Sequence, residues 1–313
     1  MFTAFPSITD PFVHTYSIVA RDPHTGQIGV AVQSHAFSVG SIVPWAEAGV
    51  GAVATQAFAN LDYGPEGLTL MRQGLNATQA LKTLLAKDEE REIRQLALVD
   101  AQGTIAVHTG GLCIAAAGHL TGENFSVQAN MMANDTVWPA MKEAYEKAEG
   151  DLAERMVAAL EAAQMAGGDI RGQQAAAMLI VAGEQQQKVW NGRLFDLRVD
   201  DHPRPVEELK RLVSLRKAWL LFEQSNALAL AQHFDEALPL LRKAMELGPD
   251  ITELRFRGTS ILFMAGEVQE ALAQFREVFA REPIWTELIP RLAAVGLMPN
   301  DPTLLKYILD QRS

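Results

Sequence analysis

The stretch TYSIVARDPHTGQIGVAVQSH, residues 15–35, decides how the first part of the chain folds. Its two ends, 15–22 and 28–35, are rich in β-branched and apolar residues, which favour strands. Between them lies PHTGQ, in which Gly26 can adopt the positive φ that a tight turn needs. The stretch therefore predicts a β-hairpin.

The residues that follow alternate between strand patterns and pairs of helix patterns. Helices are predicted over 64–73, 77–86, 150–166 and from a cap at Asn134 or Asp135 to about 148. Further strands are predicted over 50–58, 94–100, 104–110, 125–132 and 175–183, with a hairpin inside KVWNGRLFDLRVD (188–200). This order predicts a layered α+β domain in which helices cover the faces of one or two sheets.

Beyond the charged break DDHPRP (200–205), the pattern is helical throughout. Residues of the same kind recur 34 positions apart, in the pairs Ala237/Ala271, Leu241/Phe275, Pro249/Pro283 and Leu228/Leu262. That spacing is typical of tetratricopeptide-like repeats, which stack pairs of helices. We therefore predict an N-terminal extension (1–14), a sheet-containing domain (15–204) and an all-α repeat domain (205–313) with a capping unit over 285–311.

Composition excludes several classes of function. The 313-residue chain has a net charge of −11 and no dense basic run, so it is a poor candidate for binding nucleic acid. The sequence contains no run of about 18 apolar residues, so we predict no membrane-spanning segment. Residues 1–14 contain no Lys or Arg and are broken by Pro6 and Pro11, which argues against a secretory signal and favours a cytoplasmic location.

Cysteine and metal-ligand patterns are equally sparse. Cys113 is the sole cysteine, so no internal disulfide can form. The sequence has no CxxC, HExxH, GxGxxG or P-loop motif, and we expect neither a metal site nor a cofactor.

Six motifs occur in order along the first two hundred residues. They are TYSIVARDPHTGQIGVAVQSH, VPWAEAGVGAVATQAF, YGPEGLTLMRQG, HTGGLCIAAAGH, FSVQANMM and GGDIRGQQAAAMLIV. Together they resemble the bacterial and archaeal family called domain of unknown function 1028. The resemblance implies a fold similar to the N-terminal nucleophile hydrolases, a four-layer αββα sandwich whose members often pair as homo-oligomers.

In proteins of that fold, a Thr, Ser or Cys at the start of the first strand is exposed by self-cleavage. Its own α-amine then acts as the general base that activates the hydroxyl or thiol. Thr15 matches this position, and Ser17 is a second candidate because strand alternation places it on the same face. Fourteen residues precede Thr15, so the mechanism requires cleavage between His14 and Thr15.

Other polar residues are candidates for contacting a substrate. His35 ends the second strand and is either a base or substrate contact, or a satisfied polar residue at a strand end. The amides of Gln56 and Asn60 could donate to an oxyanion or could cap a loop. His108 and His119 follow apolar runs and could each face a pocket.

The segment GGDIRGQ adds Asp169 and Arg171 in a Gly-flanked loop. Arg171 could clamp a substrate carboxylate, or Asp169 and Arg171 could pair to tie the helix end to the strand. These features support two hypotheses. One is a hydrolase of a small amide or peptide-like substrate, and the alternative is a noncatalytic small-ligand-binding and scaffold protein whose helical repeats contact a protein partner.

Overall fold

The chain forms two compact units in the computed structural model, which describes residues 10–312. One unit extends to Val213 and the other begins at Ser214. Residues 1–9 of the predicted N-terminal extension lie outside the described residues.

The first unit contains two antiparallel sheets. The first sheet, ordered β1-β5-β6-β7 with β4 also paired to β5, consists of β1 (Phe12–Val13), β4 (Pro44–Glu47), β5 (Gly51–Phe58), β6 (Arg94–Asp100) and β7 (Ile105–Thr109). The second sheet is ordered β11-β10-β3-β2-β9-β8. Its strands are β2 (Thr15–Arg21), β3 (Ile28–Ser34), β8 (Gly118–Gly122), β9 (Phe125–Ala129), β10 (Ala175–Val181) and β11 (Arg193–Val199).

Four helices cover the outer faces of the sheets, while the inner faces pack on each other. These helices are α1 (Tyr63–Arg72), α2 (Ala77–Ala86), α3 (Val137–Lys147) and α4 (Leu152–Met165). Helices α1 and α2 contact the first sheet, and α3 and α4 contact the second. Asn76 and Asp151 begin α2 and α4 with reciprocal side-chain and backbone hydrogen bonds, which satisfy amides that the helix leaves free.

Strands β2 and β3 are buried on both faces because each lies between a second sheet and a layer of helices. Such strands are expected to be apolar along nearly their whole length. On the inner faces, Val19, Val30 and Val32 of the second sheet meet the small side chains of Ala54 and Ala97 on the first. This pairing of branched and small residues lets the two sheets pack closely.

The structure confirms both predicted hairpins before residue 115. β2 pairs with β3, with Thr15 opposite Ser34, and Gly26 in the turn has a φ of +71°. β6 pairs with β7 around Gly103, whose φ is +89°. Both glycines stand where the turn requires a left-handed backbone.

Three strands, one hairpin and one helix boundary differ from the prediction. The short strands β1, β4 and β8 were not predicted, because two to five residues give too little alternation to recognise. Residues 188–200 do not form a hairpin among themselves, since β11 pairs with β10 across a longer connection. Helix α3 is preceded by Thr136, because the side chain of Asn134 accepts the Thr136 amide in a local turn instead of capping the helix.

The second unit is helical throughout its described length. Helix α5 (Pro205–Leu230) begins in the first unit and ends in the second. It is followed by α6 (Phe234–Leu247), α7 (Thr252–Met264), α8 (Val268–Arg281), α9 (Trp285–Ala294) and α10 (Pro302–Leu309). The first residues of α6 and α8 are 34 positions apart. In residues 10–312, every helix is too short or too polar to cross a bilayer.

Candidate functional site

The interface between the two sheets changes from apolar to polar along the strands. At the end where β2 begins and β3 ends, seven fully buried polar side chains face the interface or border it; we call this group the polar end. Its members are Thr15, Ser17, Ser34, Gln56, Gln95, Gln128 and Asn130. Buried polar groups need partners, so their hydrogen bonds decide how the group is arranged.

Gln95 is the centre of the polar end, and its surroundings fix its orientation. Its Nε2 lies 3.2 Å from the carbonyl oxygen of Gly118 and 3.0 Å from that of Ala129, both of which can only accept. Its Oε1 therefore accepts from Gln56 Nε2 at 2.6 Å and from Asn130 Nδ2 at 2.9 Å. One side chain thus joins strands from both sheets.

The orientation of Gln56 determines the state of the Ser17 hydroxyl. With Gln56 Nε2 donating to Gln95, Gln56 Oε1 accepts from Ser17 Oγ at 2.6 Å. Ser17 Oγ in turn accepts from Gln128 Nε2 at 2.6 Å. The Ser17 hydroxyl is therefore held as both donor and acceptor inside the interface.

The orientation of Asn130 likewise determines the tautomer of His14. With Asn130 Nδ2 donating to Gln95, Asn130 Oδ1 accepts from His14 Nδ1 at 2.5 Å, so the imidazole proton is on Nδ1. Nε2 then carries a lone pair, and it is buried with no hydrogen-bond partner among the described residues. Burial lowers the pKa of His14 from 6.5 to about 4, so the ring is neutral at pH 7.

The His14 ring lies in an aromatic niche. Its centroid is 4.1 Å from that of Phe12 and 5.3 Å from that of Phe58, with both rings nearly edge-on. The Arg171 guanidinium lies over the ring of Phe12, 5.5 Å from its centroid. This niche holds the residue that directly precedes Thr15.

Two hydrogen-bond donors converge on the carbonyl oxygen of His14. Ser34 Oγ donates to it at 2.6 Å and Arg171 Nη2 donates at 2.9 Å. Asp169 holds the guanidinium in place through Arg171 Nε at 3.0 Å and Nη2 at 2.7 Å. Two fixed donors on one carbonyl oxygen are the arrangement that stabilises an oxyanion during acyl transfer.

The Thr15 hydroxyl lies beside that same peptide. Its Oγ1 donates to the carbonyl oxygen of Val13 at 2.9 Å, and the side chain is fully buried. Two strained residues flank the site, Ala57 with φ +68° directly after Gln56 and Met131 with φ +58° directly after Asn130. Non-glycine residues rarely adopt such angles, and in proteins they concentrate at functional sites.

Five of the residues predicted for the site come together around this peptide: Thr15, Ser17, Gln56, Asp169 and Arg171. The Asp169–Arg171 pair forms, as one of the two alternatives expected, and Arg171 also contacts the chain before Thr15. His35 lies next to them, because its backbone N–H donates to Asp169 Oδ2 at 3.2 Å. The ring Nδ1 of His35 is buried and has no partner in the described part of the chain.

The remaining predicted residues lie outside the polar end. Asn60 Oδ1 accepts the backbone N–H of Asp62 at 3.0 Å, which stabilises the loop before α1. His108 stands opposite Leu96 on the helix-covered face of the first sheet, and its Nε2 lies 2.8 Å from the Arg91 carbonyl oxygen.

His119 marks the outer end of the hydrogen-bonded chain. Its Nδ1 lies 2.8 Å from Thr109 Oγ1, which accepts from Gln95 Nε2 at 2.8 Å. The side chain of His119 is exposed. The polar end is thus connected to the protein surface through Thr109 and His119.

Sequence reasoning missed Gln95, Gln128, Asn130 and the role of Ser34. A signal was present, because Ser126, Gln128 and Asn130 alternate along a strand whose intervening residues are apolar. Polar residues at every second position of a strand that is buried on both faces indicate a polar cluster inside the protein.

Groups that could bind metals or act as thiolates are sparse in the described structure. Within residues 10–312, no three His, Cys, Asp or Glu side chains come together as metal ligands would. Burial raises the pKa of the Cys113 thiol to about 11, so it is not an activated nucleophile.

Comparison with known proteins assigns the first unit to a family. The model of a family of unknown function, DUF1028, matches residues 15–209. The crystal structure of protein SPO2555 from Silicibacter pomeroyi, which carries the same family designation, is 32% identical in sequence with a TM-score of 0.58. The match covers 64% of this chain and 84% of that one, whereas no curated protein matches the sequence. The chain belongs to the DUF1028 family.

Proposed function

We propose that the first unit is an amide hydrolase whose nucleophile is the hydroxyl of Thr15, freed by cleavage of the peptide bond between His14 and Thr15. The observation that carries this proposal is the pair of donors on the His14 carbonyl oxygen, Ser34 Oγ and Arg171 Nη2. When a nucleophile adds to that carbonyl carbon, negative charge develops on the oxygen, and fixed donors stabilise it most at that moment.

The cleavage requires the Thr15 hydroxyl, the peptide that precedes it and one water molecule. Thr15 Oγ1 forms a C–O bond with the His14 carbonyl carbon, the C–N bond breaks, and the hydroxyl proton moves to the departing nitrogen. Water then hydrolyses the ester, releasing the His14 carboxylate and restoring the hydroxyl. The new α-amine of Thr15, with an ordinary pKa of roughly 8, can act as a general base near neutral pH.

Thr15 is favoured over Ser17 because of the partners of the two hydroxyls. Ser17 is held on both sides by Gln56 and Gln128, so a reaction there would leave buried amides unpaired. The Thr15 hydroxyl makes one hydrogen bond, to the carbonyl oxygen of Val13, and adjoins the peptide that must be cleaved.

The order of layers supports this proposal at the level of the fold. A helix pair, two facing antiparallel sheets and a second helix pair match what we expect of the αββα sandwich of N-terminal nucleophile hydrolases. Fold similarity alone is an association, because one fold hosts many functions. The two hydrogen-bond donors on the His14 carbonyl oxygen are therefore stronger support for a hydrolase than the order of the layers is.

Intact-mass measurement of the purified chain tests the proposal. We expect a product that begins at Thr15, and we expect Thr15→Ala to keep the full chain while Ser17→Ala is still cleaved. Hydrolysis of amide substrates by the cleaved protein should be lost with Thr15→Ala. A chain that stays intact and a Thr15→Ala variant that retains full hydrolytic activity would both argue against it.

A noncatalytic role is the second candidate, and a groove in the second unit favours it. The groove has a volume of about 640 Å³ and is lined by aromatic and aliphatic side chains that include Phe222, Phe256, Trp285, Leu288 and Met298. Helices α6 and α8, spaced as tetratricopeptide-like repeats would be, support a peptide-binding array.

Binding by the full chain separates this candidate from the first. Met264 also lines the groove. If the groove recruits a protein, a Met264→Glu variant should lose partners that the unaltered chain captures, while cleavage at His14 remains unchanged. If the variant and the unaltered chain capture the same partners equally, the groove is not the site that binds them.

A further inference from the structure

We infer that the acyl half of the substrate is a peptide in extended conformation that takes the place of residues 11–14, with a flat, hydrogen-donating ring next to the scissile carbonyl. This inference rests on the proposed function and specifies its substrate. It follows from the way the segment before Thr15 is bound.

Residues before Thr15 are held as an added strand. Phe12 pairs with Phe58 and Val13 pairs with Ala57 in antiparallel register along β5. The Ala59 amide continues this ladder by donating to the Pro11 carbonyl oxygen at 3.0 Å. A β-strand edge that binds through its backbone selects an extended peptide and is poorly suited to a compact amide.

Cleavage and substrate turnover share one geometry. In both reactions Thr15 Oγ1 forms a bond to a carbonyl carbon, the C–N bond breaks, and the leaving nitrogen gains a proton. Ser34 and Arg171, which donate hydrogen bonds to the His14 carbonyl oxygen, would donate to the oxygen of the substrate carbonyl in the same way. The acyl group of a substrate must therefore extend from Thr15 in the direction that His14 takes.

The niche around His14 specifies the residue on the acyl side of the bond. The wall that stays with the enzyme after cleavage is the ring of Phe58, and the floor is Asn130 Oδ1, which accepts the imidazole N–H. The second wall, the ring of Phe12, belongs to the segment that leaves, so a substrate must supply it. A flat ring with an N–H or O–H donor satisfies both features. An aliphatic side chain leaves the oxygen of Asn130 without a donor, which is unfavourable in a buried site.

The loops around the polar end, which we call its rim, expose apolar side chains that could contact the remaining residues of a peptide substrate. Phe37, Leu61, Leu112 and Ile170 are exposed on four loops that adjoin β3, β5, β7 and β10 at the end where Thr15 lies. Exposed apolar side chains concentrated at one end of a unit are typical of a binding surface. In the chain before cleavage, Phe12 already contributes its own exposed ring to this rim.

A panel of fluorogenic amides tests the inference on the full-length protein after intact mass has established how much of it begins at Thr15. The panel contains the peptide Asp-Pro-Phe-Val-His joined to aminomethylcoumarin, the same peptide with Ala in place of His, and acetyl-aminomethylcoumarin. We expect kcat/KM for the His peptide to exceed that for the Ala peptide at least about tenfold, with the acetyl compound slowest.

Two protein variants locate the preference. Phe58→Leu, which removes one wall of the niche, should reduce the ratio of His to Ala peptide towards one. Trp190→Leu, an exposed aromatic residue in the connection between β10 and β11 at the opposite end of the strands, should leave the ratio unchanged.

The outcomes separate this inference from the proposed function. Cleaved protein that hydrolyses all three amides equally, or the acetyl compound fastest, overturns the peptide inference and leaves the hydrolase. An intact chain that hydrolyses none of them overturns both. A preference for the His peptide that Phe58→Leu does not alter also overturns the assignment of the niche.

Discussion

The interface between the two sheets has two ends that are formed by the same strands, but the side chains are apolar at one end and polar at the other. At one end, Val19 and Val30 pack on Ala54 and other apolar residues. At the other, Ser17 and Gln56 from the facing sheets are joined by directed hydrogen bonds. Apolar packing tolerates small changes of shape, whereas a buried polar network depends on every partner. Comparing the ends therefore separates what stabilises the fold from what holds the site.

The largest expected effect comes from removing the centre of the polar end. Gln95→Leu removes the short hydrogen bonds from Gln56 Nε2 and Asn130 Nδ2, which keep only their long contacts to the Thr15 carbonyl oxygen, and it removes the donor to two backbone carbonyls. We expect the free energy of unfolding to fall by about 4 kcal/mol, since each buried polar group that loses its hydrogen-bond partner costs about 1–3 kcal/mol. Urea denaturation measures this change.

Val99→Ala is the matched control on the same strand and the same face, at the apolar end. It should cost about 2 kcal/mol through lost burial. If Gln95→Leu is the milder of the two substitutions, the polar end contributes less to stability than its hydrogen bonds imply.

The next effect is a pH dependence at the polar end. Because the pKa of His14 is lowered to about 4 in the folded protein, the unfolded chain binds this proton more readily. The contribution of His14 is therefore complete above pH 6.5 and is lost as the pH falls towards 4, by on the order of 3 kcal/mol.

Urea denaturation between pH 7.5 and 4.5 gives the free energy of unfolding of two proteins, Thr15→Ala and the double variant that also carries His14→Leu. The difference between the two free energies is expected to shrink as the pH falls. The Thr15→Ala background keeps the peptide bond after His14 intact. A difference that does not change with pH would show that the ring is not held neutral by burial.

A third effect concerns the rate of cleavage. Ser34→Ala removes one donor from the His14 carbonyl oxygen, and we expect cleavage at His14 to slow by about 100-fold. Val32→Ala, two residues earlier on the same face of β3, should lower stability and leave the rate of cleavage by folded protein unchanged. Time courses of intact mass distinguish the two results, and equal rates for Ser34→Ala and the unaltered chain would contradict the oxyanion assignment.

The smallest effect is expected at the rim of the polar end. Arg94 pairs with Asp10, which is partly exposed, and also with Asp88 and Glu90. In the Thr15→Ala background, which keeps Asp10 in the chain, Asp10→Asn should therefore change the free energy of unfolding by less than about 1 kcal/mol. Asp88→Asn should cost more, because Asp88 also accepts from the Tyr63 hydroxyl at 2.6 Å. Thermal denaturation of both variants ranks them, and the reverse order would contradict this account.

Much of the secondary structure could be predicted from local pattern. The hairpins at Gly26 and Gly103 and the strand over 175–181 follow from alternation and from turn residues with a defined conformational need. The boundary at Thr136 could not be predicted, because the Asn134 side chain can either cap a helix or accept in a local turn, and the sequence pattern does not distinguish the two.

The candidate site shows where sequence reasoning stops. Thr15 and Ser17 were nominated through the family resemblance, whereas Gln56, Asp169 and Arg171 were nominated because amide and ion-pair chemistry can be recognised in their motifs. Only the tertiary structure brought Arg171 and Ser34 to one carbonyl oxygen and set the tautomer of His14 through Asn130 and Gln95. The Arg171–His14 and His14–Asn130 contacts join residues more than a hundred positions apart, and the Asn130–Gln95 contact joins the two sheets, so this arrangement exists only once the two sheets have packed together.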